Sequence, residues 1–188
     1  MKRILKNSLN LSHDFLKKVV EKGDCVIDAT CGAGNDTLFL ANLVGESGEV
    51  ISFDIQKCAI DIASKKIQDN LKEHIVRFVN DGHENLDLYV NKPVSAVVFN
   101  LGYLPKGNHS IATKHETTII AIKKALNVLK KNGLVVVVIY SGGDSGFTEK
   151  ENVLKYVSTL SQKEYNVMKV DFINQANNPP ILVVIEKI

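Results

Sequence analysis

The chain has 188 residues, 45% of them hydrophobic and 23% charged, and carries a formal net charge of +2 at pH 7. No Pro-, Gly- or Ser-rich linker divides it, so the length predicts one domain spanning 1–188. No apolar run approaches the length that crosses a bilayer, which excludes a membrane-spanning protein and predicts a cytoplasmic one. The small basic excess permits nucleic-acid binding without requiring it. Three cysteines without metal-ligand spacing predict free thiols and no metal site.

Apolar runs at regular intervals predict five strands that alternate with helical segments. These strands are near 25–29, 49–54, 75–79, 94–99 and 133–140. Such alternation is typical of a parallel sheet covered on both faces. After a helix near 149–162, the runs 165–173 and 181–185 are joined by too few residues for another helix, which favours an antiparallel hairpin. The predicted fold class is α/β: a Rossmann-like, seven-stranded, mostly parallel sheet with an antiparallel C-terminal hairpin and helices on both faces.

The first predicted strand runs into a glycine turn that opens a helix. Residues 26–37 are VIDATCGAGNDT, and the backbone N–H groups of such a junction favour a nucleotide-type cofactor. Gly32 and Gly34 let the chain bend and let a ligand approach the backbone. Thr37 stands where a dinucleotide fingerprint has its third glycine, which weakens an NAD interpretation. Asp28 is placed to accept hydrogen bonds from a ligand's ammonium or from a neighbouring backbone N–H.

Carboxylates also follow the second and third predicted strands. Asp54 ends the second strand, where a carboxylate can hold both ribose hydroxyls of an adenosine. Asp81 follows the third strand and, with Gly82, is expected beside the adenine. Acidic strand ends suit a cationic ligand better than a pyrophosphate, so S-adenosylmethionine is the preferred cofactor. The alternative is that each acid only caps the helix that follows it.

The fourth predicted strand ends in residues 100–105, NLGYLP, across the switch point of the sheet from the glycine turn. The amide oxygen of Asn100 can accept a hydrogen bond from an amine and direct its lone pair to a sulfonium methyl, while Tyr103 walls the pocket. His109, in the next loop, can take a proton from an ammonium substrate. N-methylation follows by analogy with the Asn/Asp-Pro-Pro-aromatic loops of amine-methylating enzymes. The alternative is that Asn100 starts a turn and Tyr103 packs.

The segment after this loop predicts how the next helix begins. Thr113 and Glu116 have the spacing of a capping box, in which each side chain bonds the backbone N–H of the other residue. This structural role is preferred to a catalytic role for Glu116.

Taken in order along the chain, these motifs resemble the YtqB-like family. The resemblance lies in 28–32 with 34–37, 53–56, 81–83, 100–105, 140–144, and 174–175 with 179–180. Members are class I S-adenosylmethionine-dependent methyltransferases, and the activity assigned to the family is methylation of 5-aminomethyl-2-thiouridine at the tRNA wobble position. With the motifs above, the resemblance implies a cofactor site formed by Asp28, Thr30, Gly32, Gly34, Asn35, Asp36, Asp54, Ile55, Gln56, Asp81, Gly82, His83, Asn100 and Leu101. The residues expected at the reaction are Asn100, Tyr103 and His109.

The resemblance also implies a tRNA anticodon loop as the substrate, bound at the catalytic face with its target base splayed out. A homodimer would widen that face, and the sequence leaves it open. A methyltransferase acting on rRNA, a protein or a small amine would have the same cofactor residues. A non-catalytic Rossmann-type nucleotide-binding protein or an NAD enzyme is the alternative from another class, although an NAD-binding sheet more often continues with a parallel strand.

Overall fold

The structure, a computed structural model, describes residues 4–102, 112–140 and 146–188. The strands are β1 (Cys25–Asp28), β2 (Glu49–Phe53), β3 (Val76–Val79), β4 (Val94–Leu101), β5 (Leu129–Ile139), β6 (Tyr165–Val170) and β7 (Ile181–Lys187). The helices are α1 (Ser8–Val19), α2 (Asn35–Val44), α3 (Lys57–Asp69), α4 (His115–Val128) and α5 (Gly146–Val157), and a 3-10 helix (His83–Tyr89) follows β3. Within these ranges no helix is long and apolar enough to cross a bilayer.

The strands form one seven-stranded sheet with the order β3-β2-β1-β4-β5-β7-β6. β1 to β5 pair in parallel, whereas β7 is antiparallel to both β5 and β6. The connection from β6 to β7 spans only residues 171–180 and holds no helix. Without a crossover helix the chain returns beside the strand it has just left, so the predicted hairpin and the seven-stranded sheet are confirmed.

Two strand boundaries differ from the predicted ones by three residues or more. β5 begins at Leu129 instead of 133, and its pairing with β4 shifts register over a polar stretch where Asn132 takes a left-handed φ of 62°. β6 ends at Val170 instead of 173, because Val170 pairs with Leu182 and β7 begins only one residue before that partner. Sequence alone shows neither the register shift nor the length of the partner strand.

Helices cover both faces of the sheet, as predicted. Successive side chains of a strand point to opposite faces, so the buried strand β4 contributes to two cores. Val97 and Phe99 pack with buried residues of α4, α5 and the 3-10 helix. Ala96 and Val98 pack on the other face with buried residues of α1 and α2. Fully burying a side chain of this kind contributes about 1.5–3 kcal/mol, so these central strands form a firm platform for the loops that follow them.

The parallel strands direct their C-terminal ends to one edge of the sheet. β1 lies between β2 and β4, so the connections after β1 and β4 leave the sheet side by side. In open α/β sheets ligands bind at such a point, where the strand order reverses.

A threonine fastens the end of β4 to α5. Thr113 Oγ1 donates to Glu149 Oε2 at 2.6 Å and accepts from the Gly102 N–H at 3.0 Å, and its own N–H donates to the Gly102 carbonyl at 3.0 Å. The predicted capping box of Thr113 and Glu116 is therefore wrong. α4 has Lys114 at its N-cap and no side-chain cap, because the threonine hydroxyl is engaged by Glu149 and Gly102 instead.

The turn between β1 and α2 has little room at Gly34. This residue is the N-cap of α2 and has a left-handed φ of 74°. A Cβ built on it would lie 2.8 Å from the Cβ of Ala63 on α3. Glycine is thus required both by the backbone conformation and by the approach of α3.

Replacing Gly34 by alanine is expected to lower the free energy of unfolding by roughly 2–4 kcal/mol, since left-handed strain and overpacking add. Gly23→Ala is the matched control, because Gly23 also has a positive φ, of 90°, but its Cβ would come no closer than 3.4 Å to the Ser47 hydroxyl. Urea unfolding of the two variants compares them. Equal losses would show that the contact with Ala63 does not constrain the turn.

Candidate active site

The side chain of Asp28 supports the glycine turn by hydrogen bonds. Its side chain is fully buried, and its two oxygens accept from the Thr30 N–H at 3.1 Å and from the Thr37 hydroxyl at 2.6 Å. The Thr37 oxygen also lies 2.8 Å from the Ser52 hydroxyl on β2. Of the two partners predicted for Asp28, the backbone N–H is the one observed, and contact with a ligand's ammonium stays a prediction.

The burial of Asp28 makes its charged form costly. Burial, and then the negative charge of nearby Asp36, raise the pKa of the Asp28 carboxyl above its ordinary value, while the bonds from Thr37 and Thr30 act in the opposite direction. Two acids thus share one small region, with Asp28 behind the turn and Asp36 at the start of α2.

Asp54 joins the end of β2 to the glycine turn. Its Oδ2 accepts from the Gly32 N–H and its Oδ1 from the Gln56 N–H, each at 2.9 Å. Each carboxylate oxygen can accept a second hydrogen bond, so the half-buried group can still receive hydroxyl donors. The next residue, Ile55, is an apolar side chain with 60% of its surface exposed. A carboxylate and an apolar surface side by side suit a ribose carrying a flat base.

Asp81 shapes the start of the 3-10 helix. It accepts from the Gly82 N–H at 2.7 Å, the Asn85 amide at 3.1 Å and the Tyr89 hydroxyl at 2.8 Å. These donors, led by Tyr89, lower the pKa of the carboxyl. The 3-10 helix has Gly82 at its N-cap and no side-chain cap, so Asp81 does not cap it. The contact of Asp81 with adenine stays a prediction.

His83 places a neutral imidazole against the backbone just before the glycine turn. Its Nδ1 lies 3.2 Å from the carbonyl of Ala29, which only accepts, so Nδ1 carries the proton. Burial lowers the pKa of the ring. Nε2 is then a buried acceptor without a partner among the described residues. An unsatisfied buried acceptor commonly marks a place where a ligand or water donor belongs.

Asn100 is held at both its backbone and its side chain. Its N–H donates to Thr30 Oγ1 at 2.7 Å, which joins β4 to the turn after β1. Its amide nitrogen Nδ2 donates to Asp36 Oδ2 at 3.2 Å. Within residues 4–102, 112–140 and 146–188 nothing donates to the amide oxygen, which is left as an acceptor. The site can therefore present an oriented carbonyl oxygen to an amine at the edge of the sheet.

The other predicted residues divide into those at the turn and those within the packed structure. Gly32 has a left-handed φ of 50° and its N–H is engaged by Asp54. Asn35 is exposed and bonds Lys66, whereas Leu101 and Gly82 are buried. Tyr103 and His109 lie outside the described residues. Cys25, Cys31 and Cys58 are free thiols, as predicted, and burial raises the pKa of the Cys31 thiol to about 12.

Sequence reasoning missed the residues that support this site from a distance. In the sequence Thr37 is notable only as the absence of a third glycine, and no motif includes Ser52 or His13. His13 on α1 lies 2.7 Å from Asp36 through its Nε2. No local motif marks these positions, because their partners are far away in the sequence.

Asp28→Asn should change how stability depends on pH. As the pH rises above 3.8, the ordinary value for Asp, the unfolded chain loses this proton before the folded chain does. The free energy of unfolding of the wild type should therefore fall relative to that of Asp28→Asn between about pH 4 and pH 7. Urea unfolding across this range measures the difference.

Asp61→Asn, which changes an exposed acid on α3, is the control for this series and should follow the wild-type pH dependence. Parallel curves for the wild type and Asp28→Asn would contradict a raised pKa for Asp28.

Comparison with known proteins agrees with this geometry. The family model described as "Putative rRNA methylase" matches residues 50–186. A chloroplastic tRNA (mnm(5)s(2)U34)-methyltransferase of Arabidopsis thaliana is 36% identical over 192 residues, which span 97% of this chain and 70% of the relative. The crystal structure of a "putative rRNA-methylase" from Clostridium thermocellum has 56% identity and a TM-score of 0.98, covering 99% of this chain and 100% of that one. A "putative methyltransferase" from Streptococcus mutans in complex with SAH has 39% identity and a TM-score of 0.91, covering 98% of this chain and 100% of that one. The chain belongs to this rRNA methylase family and has the fold of the class I methyltransferases.

Proposed function

We propose that the chain is an S-adenosylmethionine-dependent methyltransferase that N-methylates the 5-aminomethyl group of 2-thiouridine at the tRNA wobble position. The observation that carries the proposal is the Asn100 amide, whose nitrogen is held by Asp36 so that its oxygen can accept from an amine. The name of the Arabidopsis relative, which describes a methyltransferase of this nucleotide, supports the choice of substrate.

The residues at the strand ends fit S-adenosylmethionine. Asp54 would receive the ribose hydroxyls, and exposed Ile55 would cover one face of the adenine. The buried Nε2 of His83, which has no partner among the described residues, would be a further acceptor for a ligand donor. The Streptococcus mutans relative was crystallised with SAH, which supports the same choice. When bound, this cofactor supplies a methyl group on a positively charged sulfur, which is already activated for transfer.

The chain's own contribution is then mainly to position the amine. Asn100 Oδ1 would accept one N–H of a neutral amine and direct the nitrogen lone pair to the methyl carbon. A carbon–nitrogen bond forms, the carbon–sulfur bond breaks, and its electron pair remains on the sulfur. The methylated nitrogen carries the positive charge until it releases a proton. His109 as the acceptor of a proton stays a prediction.

The proposal also includes the setting of the reaction. The substrate is a tRNA anticodon loop, and the reaction takes place in the cytoplasm. A homodimer would widen the protein surface that binds the RNA. The description of the matching family favours rRNA as the second candidate substrate. Both substrates use the same cofactor site and differ only in the acceptor.

The first experiment is to incubate the purified protein with labelled S-adenosylmethionine and tRNA from a strain that lacks this gene, followed by mass spectrometry of the nucleosides. We expect 5-aminomethyl-2-thiouridine to become 5-methylaminomethyl-2-thiouridine. Ribosomal RNA from the same strain is the parallel substrate. Methylation of the rRNA alone, with the cofactor bound, would overturn the tRNA assignment.

Asn100→Ala should lower turnover about 10²-fold while binding of S-adenosylmethionine remains close to that of the wild type, because misplacing the amine costs about this much. Calorimetry measures binding and the nucleoside assay measures turnover. Asn42→Ala, an exposed position on α2, is the control. If binding and turnover fall together, Asn100 belongs to the cofactor site or to the fold.

Asp54→Ala should weaken binding of S-adenosylmethionine by roughly 1.5–3 kcal/mol, the usual value of hydrogen bonds to a charged group. Calorimetry checks this, with circular dichroism to verify that the variant is folded. Asp61→Ala removes an exposed acid from α3 and should bind like the wild type. Unchanged affinity in Asp54→Ala would contradict the assignment of Asp54 to the ribose hydroxyls.

A further inference from the structure

Helix α1 precedes the first strand, yet it brings a histidine to the edge where Asn100 lies. His13 Nε2 is 2.7 Å from Asp36 Oδ1. The His13 side chain is 21% exposed and that of Asp36 is 8% exposed, so water screens this contact poorly. Asp36 uses its other oxygen, Oδ2, for Asn100 at 3.2 Å. The three side chains form a continuous chain from α1 through α2 to β4.

The ring of His13 is fixed in a second way. It stacks on Phe39 with a centroid distance of 3.7 Å and an interplanar angle of 7°. Phe39 and Asp36 lie three residues apart on α2 and so share one side of that helix. One residue of α2 sets the plane of the imidazole, and the other sets the direction of its Nε2.

The chemistry of the carboxylate fixes the direction of both hydrogen bonds. An ionised carboxylate only accepts, so His13 Nε2 and Asn100 Nδ2 must both be donors. A reversed Asn100 amide would bring its oxygen against Asp36 Oδ2, where two acceptors repel. The carboxylate therefore determines which end of the amide is left for the substrate.

We propose that His13 is a positioning residue: by donating to Asp36 it holds that carboxylate where it fixes the Asn100 amide with the oxygen available to the amine. The catalytic consequence rests on the proposed function, whereas the orientation of the amide does not. Asp36 is buried, and in the described part of the chain its side-chain donors are Asn100 and His13. Loss of His13 therefore frees one carboxylate oxygen, so that the carboxylate can turn and the amide can reverse.

Two substitutions separate the hydrogen bond from the stacking. His13→Phe keeps a flat ring for Phe39 and removes the donor. His13→Gln removes the ring and keeps an N–H donor that can reach Asp36. His74→Phe is the matched control, because His74 also pairs its Nε2 with a carboxylate, Glu46 Oε2 at 2.7 Å, but at an exposed place before β3.

The first measurement is kinetic. His13→Phe should lower kcat on the amine-bearing tRNA by about 10²-fold, the usual cost of a misplaced reacting group, while KM for S-adenosylmethionine stays at the wild-type value. His13→Gln should recover most of kcat, and His74→Phe should match the wild type. A larger loss in His13→Gln than in His13→Phe would show that the ring only packs, and it would overturn the proposal.

The second measurement does not require the acceptor. In a ¹⁵N NMR spectrum the Asn100 side-chain amide is identified by its absence in Asn100→Asp. We expect slow exchange of its protons with water in the wild type and in His13→Gln, and faster exchange in His13→Phe. Unchanged exchange in His13→Phe overturns the proposal. If the wild type leaves the tRNA unmodified, the proposed function fails, and the amide spectrum still decides the role of His13.

Discussion

The glycine turn depends on a carboxylate that has no contact with solvent. A buried acid is costly unless donors surround it, and Asp28 has two of them, the Thr30 N–H and the Thr37 hydroxyl. Opening the turn would leave the acid unsatisfied, so the turn keeps one shape. Thr30 in turn accepts the Asn100 N–H, and the position of the proposed amine acceptor therefore derives from this buried group.

The start of α2 makes contacts in two directions at once. Consecutive helical residues point about 100° apart, so Asp36 reaches Asn100 and His13 while Thr37 reaches Asp28 and Ser52. Phe39 then meets the ring of His13. Acids near a helix N-terminus also interact favourably with the helix dipole. Thr37, which stands where a dinucleotide site has its third glycine, thus supports the glycine turn through Asp28.

The fold was predictable because its signals are local. Apolar runs marked β1 to β5, and the short connection between the predicted runs, 174–180, was enough to indicate the hairpin of β6 and β7. Glycines and acids at strand ends marked the edge where the proposed cofactor site lies. The early start of β5 was not predictable, because the residues at its register shift are polar and do not continue the apolar run.

The side-chain contacts that support the site could not be predicted from the sequence, for a different reason. Thr113 carried a good local pattern for a cap, but Glu149, 36 residues later, takes its hydroxyl. His13 and Asn100 are linked only through Asp36, and their spacing in the sequence gives no periodic signal. Local patterns describe which elements form, whereas competition between distant partners decides what each polar side chain does.

Gly102 and Thr113 are hydrogen-bonded to each other through both backbone and side chain, and residues 103–112 lie between them in the sequence. Closing a longer loop between fixed ends costs little, about 0.6 kcal/mol for each doubling of its length. Evolution can therefore exchange or lengthen this segment while Asn100 stays in place. A scaffold of this kind can acquire a different segment here without a change in the bonds that hold Asn100.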